Sequence, residues 1–209
     1  MEIADWIYFL IAIVIILPMH EASHALVAYY LGDPTAKVHG RLTLDPRKHF
    51  DVMGFLMLVI VHFGWGKPVP VNPGNFKKPM RDSALTALAG PVSNFILAFA
   101  VALPLKYAGR HLPEVLNAQL WWIFDLSIIW GIFNLIPVPP LDGGKILGLI
   151  VPRKFERAYM KFQSQGLKYF VVFMLFDIFI LGRLFDVSVV RYVIMNGYEF
   201  VRGVMLFGI

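Results

Sequence analysis

Residues 3–31 read IADWIYFLIAIVIILPMHEASHALVAYYL, an apolar run interrupted near its end by His20-Glu21-Ala22-Ser23-His24. As a helix this run rises about 43 Å at 1.5 Å per residue, enough to cross a hydrocarbon core of roughly 30 Å and emerge. Asp5 and Trp6 mark one interface. Residues four apart share a helix face, so His20 and His24 present two nitrogens to one metal ion, with Glu21 one step round. That HExxH spacing is the zincin layout. Ionisable groups placed just after Ile11–Leu17 are costly in lipid, which argues against two histidines that merely pack. The run also lacks the basic start and small-residue cleavage site of a signal peptide, so it is read as a permanent span.

Of 209 residues, 58% are apolar and 16% charged, far from a soluble average, and the chain reads as a polytopic membrane protein with the bilayer as its first partner. It is expected to form one integral-membrane domain, residues 1–209, with a core over 3–147 and C-terminal helices over 153–209. There is no cysteine, so any metal site must use histidine, carboxylate and water. The net charge of +5 sits in loops beside spans, where basic residues set orientation, and no nucleic-acid partner is expected.

Gly32-Asp33-Pro34 ends the first helix. The loop Thr35–Asp51 carries Lys37, Arg41, Arg47 and Lys48, which makes it cytoplasmic by the positive-inside tendency and puts the N-terminus outside. Val52–Gly64 is apolar but shorter than the roughly 17 residues a straight span needs. Gly64–Pro73 reads GWGKPVPVNP, whose prolines forbid helix and favour extended backbone. Lys67, Lys77, Lys78 and Arg81 follow, so both flanks of Val52–Gly64 are basic and the segment is expected to dip in and return. Ser83–Leu105 is the second full span, broken by a Gly90-Pro91 kink and holding Asn94. Gln119–Ile136 is the third, with Trp121 and Trp122 at the outer interface. Prolines 137, 139 and 140 stop it, and Gly143-Gly144 allow a tight turn behind Asp142. Arg153–Lys168 is a basic amphipathic segment read as a cytoplasmic surface helix or, equally, a plain solvated one. Leu167–Leu181 is a further candidate span, and Val187–Ile209, with Arg191, Glu199 and Arg202, leaves crossing undecided. The fold class is thus an all-α polytopic membrane protein: a three-helix transmembrane core, a re-entrant and extended segment, and additional C-terminal helices.

A catalytic zinc takes three protein ligands and leaves a position open, so His20 and His24 need a third. Asp125 lies near the outer end of its helix, and Asp177 has no turn or polar neighbour to orient it. Asp142, held between prolines and glycines at the cytoplasmic end of the third span, is the choice over these and Asp186. Parity supports it, because Asp142 reaches the histidines' side only if Val52–Gly64 does not cross. Glu21 then takes the proton of the attacking water and passes it to the leaving amine. Asn134, one turn before the helix stops, is placed to donate to the oxyanion or substrate backbone, or else to cap carbonyls freed around Pro137. Asn94 orients a ligand or joins helices. His39, His49, His62 and His111 are read as surface or interfacial residues.

Together, His20-Glu21-Ala22-Ser23-His24, Gly90-Pro91-Val92-Ser93-Asn94 and residues 134–144, NLIPVPPLDGG, resemble the site-2 proteases, zinc metalloproteases that cut within membranes. The resemblance implies one Zn2+ ion held by His20, His24 and Asp142, with Glu21 as acid and base. It also implies cleavage of transmembrane protein substrates near the cytoplasmic face, as in regulated intramembrane proteolysis, with the plasma membrane as the expected location. No loop is long enough for the PDZ or regulatory domains of larger relatives, so the chain looks like the compact subgroup. An extended Lys67–Val71 could pair with an unwound substrate as an added strand. The rival reading is a metal transporter or metal-binding membrane protein, which needs ligands at successive depths.

Overall fold

The computed structural model describes residues 2–61 and 64–207. His62 therefore lies outside the described residues. Helix α1 spans Ile3–Tyr30, its first turn closed by Asp5 accepting from the Glu2 amide at 3.0 Å. It ends in a Schellman motif: Gly32, at φ +107°, lets its own amide reach the Tyr29 carbonyl and that of Asp33 reach Ala28.

Asp33 does more than follow the helix. Its buried carboxylate accepts from the Thr35 amide and hydroxyl, from the Asn72 amide at 2.7 Å and from Asn75 Nδ2 at 2.7 Å. It thereby ties residues 72–75 to the foot of α1. Burial works to raise its pKa, but these donors outweigh it and hold the group below its ordinary 3.8. A depressed carboxylate stabilises the fold above its unfolded pKa, and that stabilisation is lost as pH falls through the folded value. The thermal midpoint of the protein is expected to drop below about pH 4. Asp33→Asn should start lower, by about 2 kcal/mol for the charged hydrogen bonds, and show less of the acid drop.

Helices α2 (Thr35–Val38) and α3 (Pro46–His49) are single turns, α3 started by Asp45 accepting from the Arg47 amide. Helix α4 (Val52–Val61) is too short to cross. Residues 65–67 lie back beside the start of the segment: Lys67 donates its amide to the His49 carbonyl at 2.8 Å, and a side chain at Gly54 would collide with the Trp65 backbone. Both ends of the segment thus meet at one level, which is the re-entrant path that both basic flanks implied. Two residues of this loop differ from expectation. His49 is buried, its ring bonded to the Thr43 carbonyl, and Arg41 is buried with its guanidinium on the Lys67 carbonyl. Arg41 thereby braces the returning extended segment and His49 ties the loop to itself, whereas His39 and His111 are exposed as expected.

Helix α5 (Pro79–Ala108) and helix α6 (Glu114–Leu135) complete a set of three helices long and apolar enough to cross a membrane among the described residues. Both start before the apolar stretches that signal them, because the helix continues into polar turns; Asp82, in the first turn of α5, accepts from the Lys78 amide at 3.0 Å. The three pack around Ala12, Ile16, Ala98, Ala102, Phe124 and Ile128. The alanines let α1 and α5 approach closely, the usual means of association where apolar side chains gain nothing by leaving lipid.

Beyond α6 come α7 (Asp142–Ile146), α8 (Glu156–Ser164) and α9 (Gly166–Leu175), then a π-helical stretch Phe176–Gly182, α10 (Arg183–Phe185) and α11 (Val189–Met205). Leu167–Leu181 is helical but is not one of the three long apolar helices. Asp177 has the partners its sequence neighbourhood hides. Buried in the π-helical turn, it accepts from the Ser188 hydroxyl at 2.6 Å and the Val189 amide at 2.6 Å, capping α11. Helix α11 then lies antiparallel to α6: a side chain at Gly197 would touch Ile132, Tyr198 donates to Asp125 at 2.6 Å, and Arg202 stacks over Trp121. The segment left undecided is part of the helical core.

Candidate metal centre

Two helices and one short turn bring the site together. His20 and His24 lie in α1, both buried, and Asp142 opens α7, buried as well. The His20 and His24 Nε2 atoms are 3.0 Å apart, and Asp142 Oδ2 lies 3.2 Å from the first and 3.3 Å from the second. Ligands at roughly 2.0–2.1 Å from one tetrahedral ion must stand about 3.3 Å from each other, so the triangle has the size such an ion imposes. The tautomer of His24 agrees. Its Nδ1 sits 2.7 Å from the Thr86 carbonyl, which can only accept, so Nδ1 carries a proton and, in the neutral ring, Nε2 is the nitrogen left with a lone pair for a metal. Among the described residues Asp142 Oδ2 has no hydrogen-bond partner of its own, as expected of an oxygen meant for a cation.

Local sequence explains the placement. Gly90 faces the two rings, and a Cβ there would stand 2.5 Å from His20 Cε1 and from His24 Cε1 and Nε2. The Gly90-Pro91 pair was read for its kink; its glycine serves equally as clearance for the histidines. Gly90→Ala is expected to push both rings and lower zinc affinity about 10–100-fold, measured by competition with a chelator. At the other motif, a side chain at Gly143 would collide with the carbonyls of Leu135 and Ile136, and one at Gly144 would stand 2.6 Å from the Pro139 nitrogen. Asp142 is aimed by packing its turn directly on the end of α6.

The triangle opens on a cavity of about 230 Å³ that also includes Glu21, Val69, Val71, Asn134 and Lys145. Glu21 Oε2 accepts from the Val69 amide at 2.9 Å, a contact across 48 positions that no local pattern signals. Asn134 faces the cavity, and its Nδ2 donates back to the Trp130 carbonyl at 3.1 Å. Asn94 is fully buried with neither amide atom partnered among the described residues, and no hydrogen bond from it joins α5 to α6 there.

The family model for Peptidase family M50 matches residues 104–177, the part that carries Asn134 and Asp142. A Bacillus subtilis (strain 168) relative named "Putative zinc metalloprotease YwhC" is 39% identical over 184 residues, which cover 84% of this chain and 82% of that one. The chain belongs to peptidase family M50. This site-2 protease family makes it a membrane-embedded zinc metalloprotease. The Mycobacterium tuberculosis (strain ATCC 25618 / H37Rv) protein of the same naming, Rip2, is 32% identical over 183 residues, 84% of this chain and 66% of its own length. Stage IV sporulation protein FB of Bacillus subtilis is 25% identical over 152 residues and 43% of its length. No solved structure matches the chain. The M50 assignment and the donor set agree, since two imidazoles and one carboxylate suit zinc and leave a position free.

Proposed function

We propose that this M50 peptidase hydrolyses peptide bonds in or near transmembrane segments of membrane-protein substrates, with His20, His24 and Asp142 as zinc ligands and Glu21 as general acid and base. The observation that carries the reading is the triangle of ligand atoms at 3.0–3.3 Å, on helices apolar enough to cross a membrane, with Glu21 on the same cavity. Zinc held there supplies Lewis-acid polarisation of water and of the scissile carbonyl. Glu21 takes a proton from the attacking water at its carboxylate and returns it to the leaving nitrogen. Asn134, at the rim, donates to the carbonyl oxygen as charge develops. All of residues 1–209 serve as one domain. The basic loops favour an active side toward the cytoplasm, and on this reading the protein works in the plasma membrane, where its cut releases a fragment in the manner of regulated intramembrane proteolysis.

A helical substrate hides its peptide bonds and must be unwound before hydrolysis. Lys67–Val71 is suited to hold the extended form. Pro68 and Pro70 have no amide hydrogen, so the edge they present cannot donate, and only the alternate edge of Val69 and Val71 is competent for pairing. That edge borders the cavity, with the Val69 amide on Glu21. A pairing substrate takes this amide and releases the carboxylate for proton transfer. Replacing Val69 and Val71 together with proline removes two backbone bonds of about 1 kcal/mol each, so kcat/KM should fall tenfold or more. Unchanged cleavage would remove the strand from the account.

The transporter reading finds no support in the acidic groups it needs, because Asp125 is bonded to Tyr198 and Asp177 caps α11. The direct test of the proposal is incubation of the purified protein in bilayers with a single-span substrate, followed by mass spectrometry of the products. New termini inside the apolar span are expected, and cuts confined to its soluble flanks would contradict it.

A further inference from the structure

The turn bearing Asp142 is held from behind by a helix that lines no part of the cavity. The Tyr159 hydroxyl donates to the Lys145 carbonyl at 3.0 Å and lies 3.4 Å from that of Gly144, and Gln163 Nε2 donates to the same Gly144 carbonyl. Tyr159 and Gln163 are one turn apart on α8 and share its inner face, while Arg157 and Lys161 stand exposed on the opposite side. Three glycines admit this grip. A Cβ at Gly148 would stand 2.9 Å from the Tyr159 hydroxyl, one at Gly166 would stand 2.7 Å from Pro139 Cβ, and Gly144 itself lies against Pro139. Residues 159–166 therefore touch the metal-site turn both before and after Asp142.

Such a support is needed. Helix α7 covers only Asp142–Ile146, too short to be stable alone, and the Gly144 and Lys145 carbonyls lie in its last turn, where Tyr159 and Gln163 reach them. Burial raises the Tyr159 phenol above its ordinary 10.0, against the pull of Gln163, so it stays a donor throughout the working range.

We propose that Tyr159 and Gln163 are positioning residues for the metal site, with α8 a strut that sets the distance of the Asp142 carboxylate from His20 and His24. The inference rests on Asp142 being a ligand. Residues behind a ligand typically change metal affinity 10–100-fold when removed.

The test uses the full-length protein and zinc alone as the probe. Zinc affinity is measured by chelator competition for Tyr159→Phe, Gln163→Ala, the double variant and a control, Tyr169→Phe, whose hydroxyl bonds Gln165 rather than the turn. The double variant should bind zinc at least tenfold more weakly, lose kcat on a transmembrane peptide with KM unchanged, and recover activity in excess zinc. Tyr169→Phe should match wild type. Wild-type zinc affinity in the double variant, or a change confined to KM, overturns the proposal. If the double variant does not fold, Tyr159→Phe, which removes one oxygen, decides: weaker zinc binding supports the strut and unaltered binding overturns it. Should His24→Ala bind zinc as tightly as wild type, the ligand assignment itself fails instead.

Discussion

Glu21→Gln is expected to lower kcat by about 10²–10⁴-fold, the usual contribution of a positioned acid or base, while the protein still binds one zinc. The two readouts separate because glutamine keeps the size of the side chain and a carbonyl oxygen for the Val69 amide, which Glu21 Oε2 holds at 2.9 Å. The returning strand and the His20–His24–Asp142 triangle should both persist. What is lost is an oxygen that can carry the proton of water to the leaving nitrogen. Turnover of a transmembrane peptide and zinc content of the same preparation check it. A transporter would keep its flux in this variant, so the substitution also separates the two classes of function.

Asp142→Ala should abolish activity for a different reason, by losing the metal. Structural zinc sites bind with roughly 10–16 kcal/mol through four ligands, so one ligand is worth about 3 kcal/mol, or on the order of 10²-fold in affinity. Removing the only carboxylate of the triangle leaves two imidazoles with Nε2 atoms 3.0 Å apart and no anionic ligand for the ion. Zinc titration of the apo-protein should show this loss, and Asp125→Ala, whose carboxylate bonds Tyr198, should bind zinc as wild type does.

Much of this arrangement is legible in the amino-acid sequence. The HExxH spacing and its apolar setting locate one side of the site, and the shortness of Val52–Gly64 between basic flanks locates the turn-back. Those two features together called for an acidic group at the end of the third span, where Asp142 stands 3.2 Å from His20. Hydrophobic periodicity carries this information because spans report their lengths and loops their charge.

What was not legible depends on contacts between distant residues. Asp177 looked unsupported because its partners, Ser188 and Val189, reach it only through a π-helical turn. Arg41 and His49 are buried although nothing local in Thr35–Asp51 signals it, because the partner of Arg41, the Lys67 carbonyl, comes from an extended segment 26 positions on. Tyr159 and Gln163 were hidden by the basic residues that dominate their segment. Gly90 was noticed for its neighbouring proline, although its own missing side chain is what the rings require.

The central claim is that one zinc-site cavity cuts transmembrane substrates with Glu21 as the proton carrier. Its most direct test is a comparison of protein termini in membranes of cells that contain the wild-type protein or Glu21→Gln. The account predicts fragments whose new termini fall within or at the edge of a transmembrane segment, present with wild type and absent with the variant. The same fragments in both membranes, or new termini only in soluble regions, would contradict it.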